Sequence, residues 1–232
     1  MRLNNVLVAD LDGTLTNGGE DLVKPHVKES LLSIKSRGWT LILATGRDRK
    51  YLMRRADLRG IFDAWVAEAG LSIYLPKTGI SRCFADDYWR IMVKKLTTFP
   101  FVEEKENTVV FRFEYLDTVK AEIIKLGINA VLKDNKGTVI PLPEGVNKAL
   151  GVKEALKLLN VDGPIVAVGD AKLDLELFEI AAFRAAVANA EQSLKEKAEY
   201  VANRENGEGV MEIIQAILKG WFIEGPNRTK KI

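Results

Sequence analysis

Short apolar runs that end in polar residues recur along this chain, and segments with helical periodicity separate them. Three of these runs are "VLVA" at 6–9, "LILA" at 41–44 and "IVAV" at 165–168. Continuous apolar runs of this length are typical of strands that are buried on both faces of a parallel sheet. Between the first two runs, Pro25 can open a helix whose apolar residues Val27, Leu31 and Ile34 share one face. The alternation of strand and helix predicts an α/β domain with a parallel sheet.

A segment in the middle of the chain breaks this alternation. Within residues 81–143, "WRIMVKKL" and "DTVKAEIIKLG" have helical periodicity, while "TVVFRFEY" alternates like a half-buried strand. Two further strands flank the turn Asn135-Lys136-Gly137 and predict a hairpin. We therefore expect a Rossmann-like core of residues 1–80 and 144–232, with helices on both faces of the sheet, interrupted by a small α+β insert of residues 81–143. Residues 224–232 are expected to fray.

The charge and the residue counts exclude several classes of partner and site. The formal net charge is +2 and basic residues are interleaved with acidic ones, which argues against a surface for nucleic acid or an anionic membrane. The single cysteine and the single histidine exclude an intramolecular disulfide and a cysteine-rich or histidine-rich metal site. Any metal would therefore need oxygen ligands. No apolar window reaches membrane-spanning length, and we expect a cytoplasmic protein.

Two aspartates separated by one residue follow the first strand, in "DLDGT" at 10–14. Asp10 and Asp12 point the same way if the backbone is extended, and Gly13 permits a sharp turn after them. One carboxylate can attack phosphorus to give an aspartyl phosphate, and the second can protonate the leaving oxygen and later activate water. The alternative is a solvated loop with an Asx turn, in which neither acid has a chemical role.

Polar residues also end two later strands, and ligands of open parallel sheets bind beyond such strand ends. Thr45 and Gly46 follow "LILA", and the Thr45 hydroxyl and the adjacent N–H groups can bind a phosphate oxygen there. The alternative is that Thr45 is only a turn or capping residue. Asp170 and Asp174, in "GDAKLD", can join Asp10 in an oxygen site suited to Mg²⁺. Alternatively, the same two acids only cap a helix and favour its dipole.

Lys148 lies near the predicted start of the helix where the chain returns from the insert to the core. A cation at that position can neutralise Asp10 and a transferring phosphoryl group. The alternative is a solvated lysine, which is the common state of lysines on helices. The order of Lys148 relative to the strand-end motifs favours the chemical role.

The order of these elements resembles the haloacid dehalogenase superfamily of Mg²⁺-dependent phosphatases over essentially the whole core. "DLDGT" matches the first motif of that family, Thr45 the second, Lys148 the third and "GDAKLD" the fourth. The insert resembles the family's class-two α/β cap, found in Cof-like sugar phosphatases, sucrose-phosphate phosphatase and archaeal phosphoglycolate phosphatase. Two positions depart from the family pattern, because Leu173 and Ala69 stand where asparagine is usual.

The resemblance implies a role for each matched residue. Asp10 is expected to be the nucleophile and a Mg²⁺ ligand, and Asp12 the general acid–base with its carbonyl on the metal. Lys148 is expected to stabilise charge. The remaining matched residues form a phosphate-binding group, Thr45 and Gly46 with Asn189 near the site, and a metal-binding group, Asp170 and Asp174. The loss of an asparagine at Leu173 puts efficiency or substrate orientation in question, but not the type of reaction.

Several functions remain open at this stage. The leading hypothesis is an Mg²⁺-dependent phosphatase that hydrolyses a small phosphorylated metabolite, with phosphoglycolate as the first choice of substrate and a sugar phosphate as the second. A phosphomutase of the same superfamily is the nearest alternative. A receiver-like signalling module or a non-catalytic phospho-ligand-binding protein are alternatives from another class, although receivers are about half this length and lack an insert. A homodimer is left open.

Overall fold

The computed structural model describes residues 2–19 and 21–220, with Arg2 and Leu3 described by backbone alone. The expectation for residues 224–232 lies outside these ranges. The strands of the described residues are β1 (Arg2–Leu3), β2 (Val6–Ala9), β3 (Thr40–Ala44), β4 (Ala64–Ala67), β5 (Ser72–Tyr74), β6 (Ser81–Cys83), β7 (Glu103–Glu104), β8 (Val109–Arg112), β9 (Ala130–Asn135), β10 (Thr138–Pro143), β11 (Val161–Asp162), β12 (Ile165–Gly169), β13 (Phe183–Ala186) and β14 (Tyr200–Val201).

The helices of the same residues lie between these strands. They are α1 (Pro25–Lys35), α2 (Arg49–Arg54), α3 (Asp87–Leu96), α4 (Leu116–Lys125), α5 (Lys148–Leu159), α6 (Leu175–Phe178), α7 (Gln192–Lys195) and α8 (Asn206–Leu218). Single 3₁₀ turns occupy Ala56–Leu58, Glu68–Gly70, Phe113–Tyr115 and Lys172–Asp174. Across the described ranges, no helix combines the length and the apolar composition that crossing a bilayer requires.

Eight of the described strands form one mixed sheet in the order β14-β13-β12-β2-β3-β4-β5-β6. The pairs from β14 to β2 are parallel, with Ile165 opposite Val6, and β3 is parallel to β4, with Ile42 opposite Ala64. Strands β2, β3 and β12 are buried along their whole length, as their apolar runs predict. The predicted fold class is confirmed.

One edge of the sheet differs from the parallel arrangement that the sequence predicts. Strands β4 and β5 pair antiparallel, and so do β5 and β6. Only residues 68–71 link β4 to β5, whereas parallel neighbours need a crossover connection of about a dozen residues or more. The apolar pattern of residues 71–75, "LSIYL", predicts a further short strand of the sheet but does not encode the direction of that strand, which explains the difference.

The described chain divides into two compact units. We call residues 2–41, 57–61 and 162–220 the N-terminal unit, and residues 42–56 and 62–161 the central unit. This division does not follow the boundaries predicted for the insert, residues 81 and 143, and those boundaries stay a prediction.

In the N-terminal unit, helices α1 and α8 lie close together. Helix α1 buries Val27, Leu31 and Ile34, as its periodicity predicts. The apolar pattern of the sequence predicts this last helix around residues 210–218, whereas helix α8 begins earlier, at Asn206. Gly207 permits this first turn to approach its neighbours, because a Cβ there would lie 2.8 Å from a methyl group of Val27.

The central unit contains a second, antiparallel sheet in the order β7-β8-β10-β9. The predicted hairpin joins β9 to β10, and its turn residues Lys136 and Gly137 both have positive φ, 53° and 85°. Such a turn matches the right-handed twist of the strands that it joins. Helices α3 and α4 contribute to the core that covers this sheet, through Trp89, Met92, Leu96, Val119 and Ile123.

Gly151 allows helix α5 to lie close to β4 and to the turn after it. A Cβ at this position would lie 2.4 Å from Val66 Cγ1 and 2.9 Å from the Cα of Gly70. Gly151→Ala should therefore destabilise the protein by about 1–3 kcal/mol through overpacking, although alanine favours a helix by about 1 kcal/mol. Urea unfolding measures the difference, with Lys153→Ala on the exposed side of the same helix as the control. A Gly151→Ala protein at least as stable as the parent would contradict this packing.

Candidate active site

Three buried carboxylates meet in the N-terminal unit. Asp10 directly follows β2 and Asp170 directly follows β12, so the two parallel strands bring both acids to the same edge of the sheet. Asp174 lies in the 3₁₀ turn that comes after β12. One ligand oxygen from each carboxylate lies within 4.8 Å of the other two, and the exposed fractions of the residues are 6%, 0% and 0%. The structure thus brings together three of the four residues predicted to bind metal.

Asp12, the fourth, lies in a tight turn directly after β2. The carbonyl of Leu11 accepts hydrogen bonds from the N–H groups of Leu15 and Thr16, at 2.9 and 3.0 Å. The Gly13 N–H donates to the carbonyl of Thr16 at 2.8 Å and closes the turn. Asp12 is partly exposed, unlike the three clustered acids. The backbone therefore presents Asp12 where it is accessible to solvent.

The turn also passes very close to Asp170. Gly13 has a φ of 88°, and a Cβ on it would lie 2.3 Å from Asp170 Oδ2. The next residue, Thr14, is fully buried and its hydroxyl donates to Asp170 Oδ1 at 2.8 Å. Glycine at 13 is therefore a steric requirement, and Thr14 fixes the orientation of the Asp170 carboxylate.

Backbone groups orient the third acid. The N–H groups of Asp170 and Ala171 both donate to Asp174 Oδ2, at 3.0 Å each. A Cβ on Gly169 would lie 2.5 Å from the same oxygen, so the close approach needs glycine there as well. Asp174 is thus directed toward the strand end. Its contact with the N–H of Ala171 is also the contact of a residue that caps the 3₁₀ turn, so Asp174 has the capping role that the alternative assigns to it, and the metal role stays a prediction.

The chemistry of this donor set fits a small divalent cation. All three residues offer carboxylate oxygens, the ligands that Mg²⁺ prefers, and the described residues place no cysteine or histidine in the group. Buried acids so close together repel each other unless a positive charge compensates them. Asp10, Asp170 and Asp174 could therefore hold a divalent metal ion.

Asn189, predicted near the phosphate, contacts the turn that carries Asp12 through one end of its side-chain amide and the start of helix α8 through the other. Its Nδ2 donates to the carbonyl of Gly13 at 2.7 Å, and its Oδ1 accepts from the N–H of Asn206 at 2.8 Å. Asn189 therefore joins the start of helix α8 to the turn that carries Asp12. Its phosphate-binding role stays a prediction.

Thr45 and Gly46 belong to the central unit, directly after β3. Thr45 is buried, its N–H donates to the carbonyl of Val66 at 2.9 Å, and its hydroxyl oxygen accepts from the N–H of Arg47 at 3.2 Å. A Cβ on Gly46 would meet nothing within 4 Å, so packing does not require glycine at that position. The roles of both residues in phosphate binding stay predictions.

Lys148, also in the central unit, is the first residue of helix α5. The Asn147 side chain caps this helix by accepting from the N–H of Leu150 at 2.8 Å. Lys148 is only 4% exposed, which contradicts the solvated alternative. Lysines are almost never buried without a compensating group, so its burial favours a role for its charge.

The two departures from the family pattern lie in turns. Leu173 is partly buried within the 3₁₀ turn that ends at Asp174, and the two backbone hydrogen bonds to Asp174 form with leucine there. Ala69 has a φ of 53° and a ψ of 33°, a left-handed conformation that asparagine adopts more readily than alanine. The backbone at residue 69 thus suits the asparagine that this chain lacks.

Sequence reasoning missed three polar residues. Thr14 stands inside the quoted "DLDGT" motif, whose last position was the available signal. Asn206 begins helix α8 next to a glycine. Glu68 lies near the end of "AWVAEAG", residues 64–70, whose apolar pattern predicts one short strand. Glu68 is completely buried, and this burial raises the pKa of its carboxyl, while hydrogen bonds from Asn107 and Ser72 partly oppose the shift.

The comparisons with known proteins agree with this geometry. The family model described as haloacid dehalogenase-like hydrolase matches residues 7–77 and 78–214. Phosphoglycolate phosphatase 2 of Saccharolobus solfataricus is 30% identical over 227 residues, covering 94% of this chain and 95% of that protein. Phosphoglycolate phosphatase of Sulfurisphaera tokodaii is 28% identical over 225 residues, covering 94% and 97%.

Solved structures show the same fold. A protein of Thermoplasma acidophilum superposes with a TM-score of 0.75 at 20% identity, covering 94% of this chain and 99% of that one. The sucrose-phosphatase of Synechocystis superposes with a TM-score of 0.66 at 21% identity, covering 93% and 98%. The buried acids at the strand ends and the match along nearly the whole chain lead to one conclusion: this chain belongs to the haloacid dehalogenase-like hydrolases.

Proposed function

We propose that this chain is an Mg²⁺-dependent phosphatase that hydrolyses a small phosphomonoester through an aspartyl phosphate on Asp10. The observation that carries the proposal is the cluster of Asp10, Asp170 and Asp174, whose ligand oxygens lie within 4.8 Å of one another, with Asp12 two residues after Asp10. A receiver-like module is a poorer fit, because the match to the hydrolase family spans residues 7–77 and 78–214, which is nearly the whole chain.

The first step is transfer of the phosphoryl group to the enzyme. A carboxylate oxygen of Asp10 attacks phosphorus, and the bond between phosphorus and the ester oxygen breaks. Asp12, in its protonated form, gives its proton to the leaving oxygen, so the alcohol departs neutral. Asp12 can act in this way because the turn holds it two residues after Asp10 and leaves it partly exposed.

The second step returns the enzyme to its starting state. The Asp12 carboxylate takes a proton from water, and the water oxygen attacks the phosphorus of the aspartyl phosphate. The bond between phosphorus and Asp10 breaks, inorganic phosphate leaves, and Asp10 recovers its carboxylate. Asp12 is protonated again at the end of the cycle.

Asp10, Asp170, Asp174 and the carbonyl of Asp12 are the groups that would hold Mg²⁺. A bound Mg²⁺ supplies positive charge that offsets the negative charge of the carboxylates and of the phosphoryl group. Thr45 and Gly46 are proposed to bind phosphate oxygens, and Lys148 to neutralise charge, as the family resemblance implies. Asn189 is proposed to lie near the bound phosphate and to hold the turn that carries Asp12 through its hydrogen bond to the carbonyl of Gly13.

Phosphoglycolate is the first-choice substrate, because relatives that match about 94% of this chain carry the name phosphoglycolate phosphatase. We expect phosphate release from a panel of phosphoglycolate, several sugar phosphates and p-nitrophenyl phosphate to require Mg²⁺ and to be strongest with phosphoglycolate. Excess EDTA should abolish the release, and added Mg²⁺ should restore it. Release that is unaffected by EDTA would contradict the metal requirement, and a stronger reaction with a sugar phosphate would replace the substrate assignment.

The roles of the two acids in "DLDGT" can be separated by conservative substitution. Asp10→Asn should abolish turnover because an amide cannot form the aspartyl phosphate, and Asp12→Asn should lower kcat by about 10²–10⁴ through loss of the general acid–base. Steady-state phosphate release measures both, with the exposed Asp117→Asn as the control. Near-normal activity of either site variant would overturn the mechanism.

Thr14 should contribute to metal affinity, because its hydroxyl orients the Asp170 carboxylate. Thr14→Val keeps the shape of the side chain and removes the donor, and Mg²⁺ binding should weaken by roughly 10–100-fold, as for other groups that orient metal ligands. Isothermal titration calorimetry without substrate measures this, and Thr138→Val on an exposed strand position is the control. Unchanged Mg²⁺ affinity in Thr14→Val would show that Asp170 does not bind the metal in this way.

A further inference from the structure

Glu68 is a completely buried carboxylate in the central unit that the proposed chemistry does not use. It begins the turn after β4, in which Glu68, Ala69 and Gly70 have successive φ values of 50°, 53° and 106°. Left-handed backbone at two consecutive residues other than glycine is strained, and such strain persists only where the surroundings hold it. The turn Glu68–Gly70 therefore needs specific contacts to keep its shape.

Asn107 supplies two of these contacts. Its backbone N–H donates to Glu68 Oε1 at 2.7 Å and its side-chain Nδ2 donates to Glu68 Oε2 at 2.8 Å. The hydroxyl of Ser72 donates to Oε2 at 3.2 Å. The carbonyl of Asn107 in turn accepts from the indole N–H of the buried Trp89 at 3.0 Å. Asn107 is thus held by Glu68 on one side and by Trp89 on the other. The two carboxylate oxygens of Glu68 accept all three hydrogen bonds that Asn107 and Ser72 donate.

The residue before Asn107 makes a second connection. Glu106 pairs with Arg49, the first residue of helix α2, and this pairing raises the pKa of the Arg49 guanidinium. The loop 105–108 that contains both residues is closed by a hydrogen bond from the N–H of Lys105 to the carbonyl of Thr108, at 2.9 Å. Glu106 is therefore held by Arg49, in the segment after strand β3. Asn107 is held by Glu68, in the turn after strand β4.

The same turn also contacts the segments of Thr45 and Lys148. The N–H of Ala69 donates to the carbonyl of Thr45, and the N–H of Glu68 donates to the carbonyl of Arg47, each at 2.9 Å. On its other side, a Cβ on Gly70 would lie 2.0 Å from the carbonyl oxygen of Asn147, the residue before Lys148. One turn therefore touches the loop 105–108, the Thr45 segment and the start of helix α5.

We propose that Glu68 is a positioning residue that couples the loop 105–108 to the segments of Thr45 and Lys148. By accepting both donors of Asn107, it fixes the turn Glu68–Gly70 and, through the backbone of that turn, Thr45. The loop 105–108 belongs to the predicted insert, residues 81–143, which resembles the family's cap. The resemblance implies that the cap determines substrate specificity, so on the proposed function the coupling links substrate recognition to phosphate binding. The consequence for substrate binding rests on the proposed function, whereas the structural coupling does not.

Asn107→Asp tests the coupling, because it places a second carboxylate against Glu68. Hydrogen exchange should accelerate by about tenfold or more in the loop 105–108, the loss expected for a hydrogen bond to a charged group. It should also accelerate at the amides of Arg47 and Ala69, which both donate to Thr45. KM for the best substrate of the panel should rise.

The double variant Glu68→Gln with Asn107→Asp should restore exchange and KM toward the parent values, because the introduced glutamine can donate to the introduced aspartate. Asn107→Ala removes the side-chain donor without adding charge and serves if Asn107→Asp does not fold. Asn129→Asp, which adds the same charge at an exposed position of the insert, should change neither exchange nor KM.

Three results would overturn the proposal: faster exchange confined to the loop 105–108, unchanged exchange in both Asn107 variants, or a double variant no better than Asn107→Asp. Absence of phosphate release by the parent protein from every substrate would overturn the proposed function instead. The exchange results would still decide the coupling in that case, since they need no substrate.

Discussion

Repulsion among three buried carboxylates is the constraint on which the N-terminal unit depends. Two unit charges within 4.8 Å of each other repel by about 3.5 kcal/mol at an effective dielectric constant of about 20. Asp10, Asp170 and Asp174 would not remain together without donors and positive charge to offset this repulsion. The Thr14 hydroxyl and two backbone N–H groups orient the acids, and the donor set is one that a divalent cation fits.

The same constraint explains the small residues around the acids. Gly13 and Gly169 lie so close to Asp170 and Asp174 that any Cβ would overlap a carboxylate oxygen. Asn189 then donates to the carbonyl of Gly13, so that hydrogen bonds fix the turn together with its buried side chains Leu11 and Leu15. In the central unit, the turn Glu68–Gly70 is likewise strained and held by polar contacts, to Asn107 and Ser72. In both units, hydrogen bonds to buried polar groups at the ends of strands thus stabilise the conformation of the turns that follow those strands.

Much of this arrangement could be predicted from the sequence, for a physical reason. Wholly apolar runs identify buried strands, and parallel neighbours direct residues at their carboxyl ends to one edge, which places Asp10 beside Asp170. The supporting contacts could not be predicted in this way, because they join residues far apart in the chain. Thr14 and Asp170 are 156 positions apart, and Asn189 and Gly13 are 176 positions apart. Glu68 gave no signal at all, since its short segment has the apolar pattern of a strand and its partner belongs to a distant loop.

The stereochemistry at phosphorus tests the central claim, that Asp10 takes the phosphoryl group before water does. An ester of thiophosphate carrying ¹⁸O of known configuration would be hydrolysed in water labelled with ¹⁷O, and the configuration of the released thiophosphate determined. Each in-line displacement inverts phosphorus, so transfer to Asp10 followed by transfer to water predicts overall retention. Overall inversion would show direct attack by water and would contradict the account.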